Sequence, residues 1–238
     1  MTMKTLKTTL ALTAGALTGS VLALSLAAAP ALAAQATTPV PKTVPNFTGK
    51  WLNATPEAAL KTSDGKAPPL SAKGKEEYAK NKKEKAAGND PLTLCHMHGE
   101  PRLLFTKYPF LIMQYGNHVD FLHQANHTFR ITYFGEKLDP EADPIWLGHS
   151  SAKWDGKALV IDSANFNGET WLDYSGLPHG EKLKVQERYT LKGPDRIEGV
   201  VTITDPDTFS RPWSTAFTLV RKPGYELKES VCVRDHRM

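Results

Sequence analysis

From Phe110 onward, apolar and polar residues alternate in short runs divided by turn residues, the period-two pattern of half-buried strands. Phe110–Tyr115 and His118–Gln124 flank a turn at Gly116-Asn117, and Thr128–Phe134 ends at Gly135. Trp146–Trp154 and Lys157–Asp162 flank Asp155-Gly156, a strong hairpin signal. Lys182–Leu191 alternates cleanly, and Gly193-Pro194-Asp195 turns the chain into Arg196–Thr204. Ser214–Arg221 and Tyr225–Val233, joined at Pro223-Gly224, read as a last pair. With Phe47–Leu52 as a first strand, the pattern predicts about ten strands, antiparallel throughout. The period changes once. Ala72–Ala87 is rich in Ala, Lys and Glu, follows Ser71 as N-cap and precedes Gly88, so a single helix is expected over 72–87. Tyr78 is its main large apolar residue, which places it on the surface. The class expected from this pattern is mainly β: an antiparallel barrel or sandwich with one N-terminal surface helix.

Ahead of this domain, Lys4 and Lys7 precede an apolar run from about Leu10 to Ala29, and then Pro30-Ala31-Leu32-Ala33-Ala34. A basic end, an apolar stretch and small residues in the small-x-small order form the layout of an export signal. A signal peptide is therefore expected over 1–33, a Thr/Pro/Ala linker over 34–46, and one domain over 47–238. The compartment implied is the periplasm or the exterior, with no membrane span once the leader is removed. The formal charge is +4, and losing Lys4 and Lys7 with the leader leaves +2. The lysines of 73–85 are interleaved with Glu76, Glu77 and Glu84, a solvated helix face that argues against a nucleic-acid partner.

The chain has two cysteines, Cys95 and Cys232. In an oxidising compartment an even count points to a disulfide. A metal site is the competing reading, because His96-Met97-His98 adjoins Cys95 and His118, His123 and His127 follow. Gly99 and Pro101 make a regular strand there unfavourable, so no metal and no cofactor is assigned.

Along 182–191, Leu183, Val185, Tyr189 and Leu191 share one face, and Glu187 shares it with them. A carboxylate among inward apolar residues needs a partner or a raised pKa: either it is a general acid/base or ligand anchor, or it belongs to a structural ion pair for which Arg130 is the candidate partner. His123 follows Val119 and Phe121 on an apolar face. The long segment 163–181 does not alternate and carries Phe166, Asn167, Trp171, Asp173 and His179. His149 stands near Trp146 and Trp154. Glu187, His149, His179 and Asp173 are the candidate acid/base set, since histidine titrates nearest neutral pH. Trp146, Phe166, Asn167, Trp171, Arg130 and His123 are the candidate ligand contacts. No G-x-S-x-G, H-E-x-x-H, P-loop or dinucleotide fingerprint occurs.

Gly49-Lys50-Trp51 resembles the G-x-W signature of the lipocalin or calycin barrels. From about Pro69 to Cys232 the chain resembles a group of secreted, largely uncharacterised bacterial proteins of lipocalin-like form. The shared pieces include Gly88-Asn89-Asp90-Pro91, Gly99-Glu100-Pro101-Arg102, Trp146-Leu147-Gly148-His149-Ser150, Thr170-Trp171-Leu172-Asp173, Pro178-His179 and Glu187-Arg188. At 96–98 this chain has His-Met-His where that group usually has prolines. The resemblance implies a lipocalin-like barrel and no established reaction. A barrel of this size holds one small ligand, so a small apolar or aromatic molecule is the expected partner. A cofactor-free acid/base enzyme (isomerase, cyclase, lyase or hydrolase) and a His-rich metal binder are the alternatives.

Overall fold

The computed structural model describes residues 39–232. The expected leader, its cleavage site, residues 34–38 of the linker and Val233 lie outside the described residues. Nine strands form a closed barrel in sequence order. They are β1 Gly49–Asn53, β2 Phe110–Gln114, β3 His118–His123, β4 Phe129–Phe134, β5 His149–Asp155, β6 Ala158–Ala164, β7 Lys184–Leu191, β8 Arg196–Thr204 and β9 Trp213–Arg221. Among the described residues the only α-helix is α1, Ala72–Ala86.

Two expectations are corrected. The barrel is mixed, because β4 and β5 run parallel over Tyr133↔Ser151 and Phe134↔Ala152. Residues 135–148 carry the chain back along the wall before β5 begins, and parallel neighbours need a crossover of this length. Tyr225–Cys232 is not a strand. The free edge of β9 is taken by β1, through Trp51↔Arg221 to Asn53↔Leu219, so the sheet closes without it. Residues 222–232 instead run as a strap, ended by the Cys95–Cys232 disulfide across a sequence separation of 137.

The core is the barrel interior, with Trp51, Phe110, Phe121, Tyr189 and Phe217 among its large side chains. Trp51 donates from Nε1 to the Phe47 carbonyl at 2.9 Å. The Arg221 guanidinium covers its ring at 4.3 Å. Gly49 is small for this reason: a Cβ there would lie 2.0 Å from Arg221 Nη1.

Ser71 caps α1, its Oγ accepting from the Gly74 N–H at 3.0 Å. Gly74 lets the helix settle on the barrel, since a Cβ would meet the Thr208 carbonyl at 2.2 Å. Tyr78 anchors the outer turns through a 2.7 Å hydroxyl contact with Ser175.

The segment from Pro91 to Pro109 packs across one end of the barrel. Arg102, fully buried, holds it: Nη1 and Nη2 reach Asp90 at 2.9 and 2.6 Å, with Tyr174 at 4.3 Å from its guanidinium.

Candidate functional site: a buried charge cluster behind the β4–β5 slot

Alternation along β7 turns Val185, Glu187 and Tyr189 inward, and Glu187 is 0% exposed. Arg130 points inward from β4, opposite Phe121 of β3. The two meet at 2.6 Å between Arg130 Nη1 and Glu187 Oε2. The second oxygen of Glu187 accepts from the Tyr189 hydroxyl at 2.7 Å. The Phe121 ring lies 4.7 Å from the guanidinium carbon. Burial works against the charge of Arg130, but Glu187 and then Glu100 more than offset it and raise its pKa.

Glu100 enters this cluster from the capping segment. Its Oε1 lies 3.6 Å from Arg130 Nη1, and neither carboxyl oxygen has a hydrogen-bond partner among the described residues. Burial pushes its pKa up to about 8, against the pull of Arg130 and with the repulsion of Glu187. His123 is buried beside Phe110, with ring centroids 4.7 Å apart. Both of its nitrogens lack a partner. Burial first, then Arg130, holds it neutral, well below the usual histidine range. Thr128, just before β4, and Thr132 on β4 also carry buried hydroxyls without partners. Buried polar groups are normally paired, so this concentration of unpaired ones marks the barrel interior as more than a packing core.

Two clefts border the cluster and a third lies apart from it. The parallel pairing of β4 with β5 covers only the C-terminal end of β4, so a slot opens in the wall beside Phe129–Ile131. The slot holds about 350 Å³ and is lined by Phe129, Arg130, Ile131, Ile145, Leu147 and His149, among others. Phe129 and Ile131 are 65% and 48% exposed. A second cleft, about 560 Å³, lies between this hairpin and the strap and includes His123 and Leu227. A third, about 620 Å³, lies against the capping segment and includes His98, Phe105, Tyr108 and Tyr174. Burial lowers the His98 pKa to about 4.

The structure brings some of the sequence candidates together and separates others. Arg130, Glu187 and His123 share the cluster, and His149 stands at the slot that Arg130 lines, its Nε2 at 2.9 Å from the Asp143 carbonyl. His179 and Trp171 lie in a separate cleft of about 320 Å³ on the α1 side. There His179 Nε2 meets the Thr170 hydroxyl at 2.7 Å. Asp173 accepts from the backbone N–H groups of Leu60, Ser175 and Leu177, so it organises loops. No hydrogen bond or ion pair among the described residues joins His149, His179 or Asp173 to Glu187. Trp146 packs edge-on against His96 at 4.9 Å, Phe166 is in the core, and Asn167 accepts from the Glu169 N–H. Cys95 is committed to the disulfide, and among the described residues no group of three or more His, Cys, Asp or Glu is placed to hold a metal ion.

No residue pattern singles out Glu100. It belongs to the Gly99-Glu100-Pro101-Arg102 piece of the resemblance, but it lies outside any alternating strand, so no periodicity turns it inward.

No protein-family model matches the chain, and no curated protein sequence matches it. No described helix is long and apolar enough to cross a membrane. The closed nine-stranded barrel is compatible with a calycin-like fold.

Proposed function

We propose that this chain is an exported, lipocalin-like barrel that binds a small, largely apolar molecule in the slot between β4 and β5. Export rests on the leader pattern and agrees with the Cys95–Cys232 disulfide. The observation that carries the binding reading is Arg130. It is buried, belongs to a cluster with unpaired polar atoms, and lines a cleft whose walls are exposed apolar side chains. Ligand sites combine apolar walls with a few placed polar groups. The mature protein, exported to a bacterial periplasm, is to be weighed by native and denaturing mass spectrometry side by side. An organic mass present only in the native spectrum, and lost in Leu147→Trp, is expected. An unliganded mass from wild type, with no binding of added apolar molecules, counts against the reading.

Acid/base catalysis in the same barrel is favoured by one observation. Glu100 has no hydrogen-bond partner among the described residues and is shifted to about 8, the range a proton carrier needs near neutral pH. In that case Glu100→Gln abolishes turnover of the bound molecule, whereas in a pure binder it changes affinity alone.

A further inference from the structure

A guanidinium presents two edges to a carboxylate: the outer pair Nη1/Nη2 and the side pair Nε/Nη2. In Arg102 the outer pair is filled by Asp90, at 2.9 and 2.6 Å, so its Nε is buried without a partner but the Nη2 half of its side edge is already taken. In Arg221, Nε donates to the Pro194 carbonyl and Nη1 to the Thr48 carbonyl. Arg130 differs. Its protein partners, Glu187 at 2.6 Å and Glu100 at 3.6 Å, both face Nη1. Nε is fully buried without a hydrogen bond, and no described group bonds Nη2. Both nitrogens of the side edge of Arg130 are thus unsatisfied, on a residue that lines the slot.

We infer that the slot takes small organic acids, with the ligand carboxylate docked side-on against Nε and Nη2 of Arg130 and its apolar part against Phe129, Ile131 and Leu147. This rests on the slot being the ligand site. A planar donor pair fits a carboxylate in two parallel hydrogen bonds, which an alcohol cannot form and an amine opposes. Glu187 does not compete for that edge, because it is held on Nη1 and by the Tyr189 hydroxyl. Glu100, protonated at neutral pH, adds no second negative charge. The nearest charged groups on the outer rim, Glu136, Lys137 and Asp139, are of mixed sign.

The test uses the mature, disulfide-bonded protein and three probes sharing one carbon skeleton: phenylacetate, phenylethanol and phenethylamine. Their affinities are measured by titration calorimetry, with Ile131→Lys and Ile131→Glu as charge probes on the slot wall. Ile131 is half-exposed, so both variants should fold. The acid is expected to bind at least about tenfold more tightly than the alcohol or the amine, as for a site built to satisfy its own buried donors. Ile131→Lys should strengthen acid binding and Ile131→Glu weaken it, with the alcohol little changed. Equal binding of acid and alcohol, moved alike by both variants, overturns the acid inference and leaves the slot as a binding site. Preference for the amine also overturns it. Binding of none of the three overturns both readings.

Discussion

Arg130 and Glu187, separated by 57 positions in the chain, meet at 2.6 Å inside the barrel with almost no exposure of either side chain. β4 and β7 are not neighbours in the sheet, so the pair spans the interior. Such a contact makes the two sides of the barrel depend on one another. It does not make the barrel more stable than an apolar pair would, because removing two charges from water offsets their attraction.

Breaking that pair on one side should therefore be costly. Glu187→Gln leaves the guanidinium buried with only Glu100 near it, and a loss of about 3–5 kcal/mol is expected in urea denaturation. Replacing both together, Arg130→Met with Glu187→Leu, should recover most of the loss. A single-variant loss below about 1 kcal/mol, the size of an exposed pair, would mean that water reaches the contact.

Glu100 gives the protein a pH dependence of definite sign. Its carboxyl titrates near 4.5 when unperturbed and near 8 in the folded chain. Between those values the folded state holds a proton that the unfolded state has released. Its contribution to stability is full below the lower value, falls as pH rises and is gone above the upper one. Urea midpoints measured across this window should decline for wild type, and Glu100→Gln should flatten the decline. An unchanged slope in the variant would assign the dependence to another group.

Much of this architecture was legible in the chain. Alternation placed β2 to β4 and β6 to β9 within a few residues and turned Glu187 inward, because a barrel wall must bury one face of every strand. Ser71 and Gly88 bounded the helix through the chemistry of its caps. Two features were not legible. Strand direction at β4–β5 depends on where residues 135–148 travel, and alternation is the same for parallel and antiparallel neighbours. Tyr225–Val233 reads as a strand, but β1 had already taken the edge of β9, which is a property of closure and not of the segment. The site divided in the same way. Residues on strands were placed by their period. Glu100, on an irregular segment, and His179 and Asp173, in a long loop, have positions fixed only by tertiary contacts.

The close approach of the capping segment to the 163–181 loop should be sensitive to one methyl group. Gly99 has φ +70, and a Cβ would lie 2.4 Å from Thr170 Oγ1. Gly88 has φ +85 with nothing within 4 Å. Gly88→Ala should cost only about 1 kcal/mol, the backbone penalty. Gly99→Ala should cost clearly more and disturb the Thr170–His179 hydrogen bond, visible as a shifted imidazole resonance. Equal losses for the two variants would show that the capping segment moves aside without strain.

The disulfide and the strap it ends can be separated by their effects. In the loop-entropy description, closing so long a loop stabilises by about 5 kcal/mol, and measured values are typically about 2–4 kcal/mol. The barrel itself closes through β1 and β9, upstream of the strap, so Cys95→Ser with Cys232→Ser should leave a folded barrel of lower stability. Beyond its base, where the Lys222 N–H meets the Lys50 carbonyl at 2.8 Å and Lys50 Nζ reaches the Pro223 carbonyl at 3.5 Å, the strap is tied by Lys228 N–H to Gln124 Oε1 at 3.1 Å and Ser230 N–H to His127 Nε2 at 2.9 Å. These last two bonds are a weak hold on a segment this long once the covalent end is gone. Trypsin should therefore cleave at Lys228 much faster in the double variant than in the oxidised protein, while amide protection in β7 and β8 persists. Rapid exchange throughout the barrel would instead make the disulfide a condition of folding. Unchanged protection of Lys228 would mean that packing of Leu227 against the β3–β4 hairpin holds the strap without it.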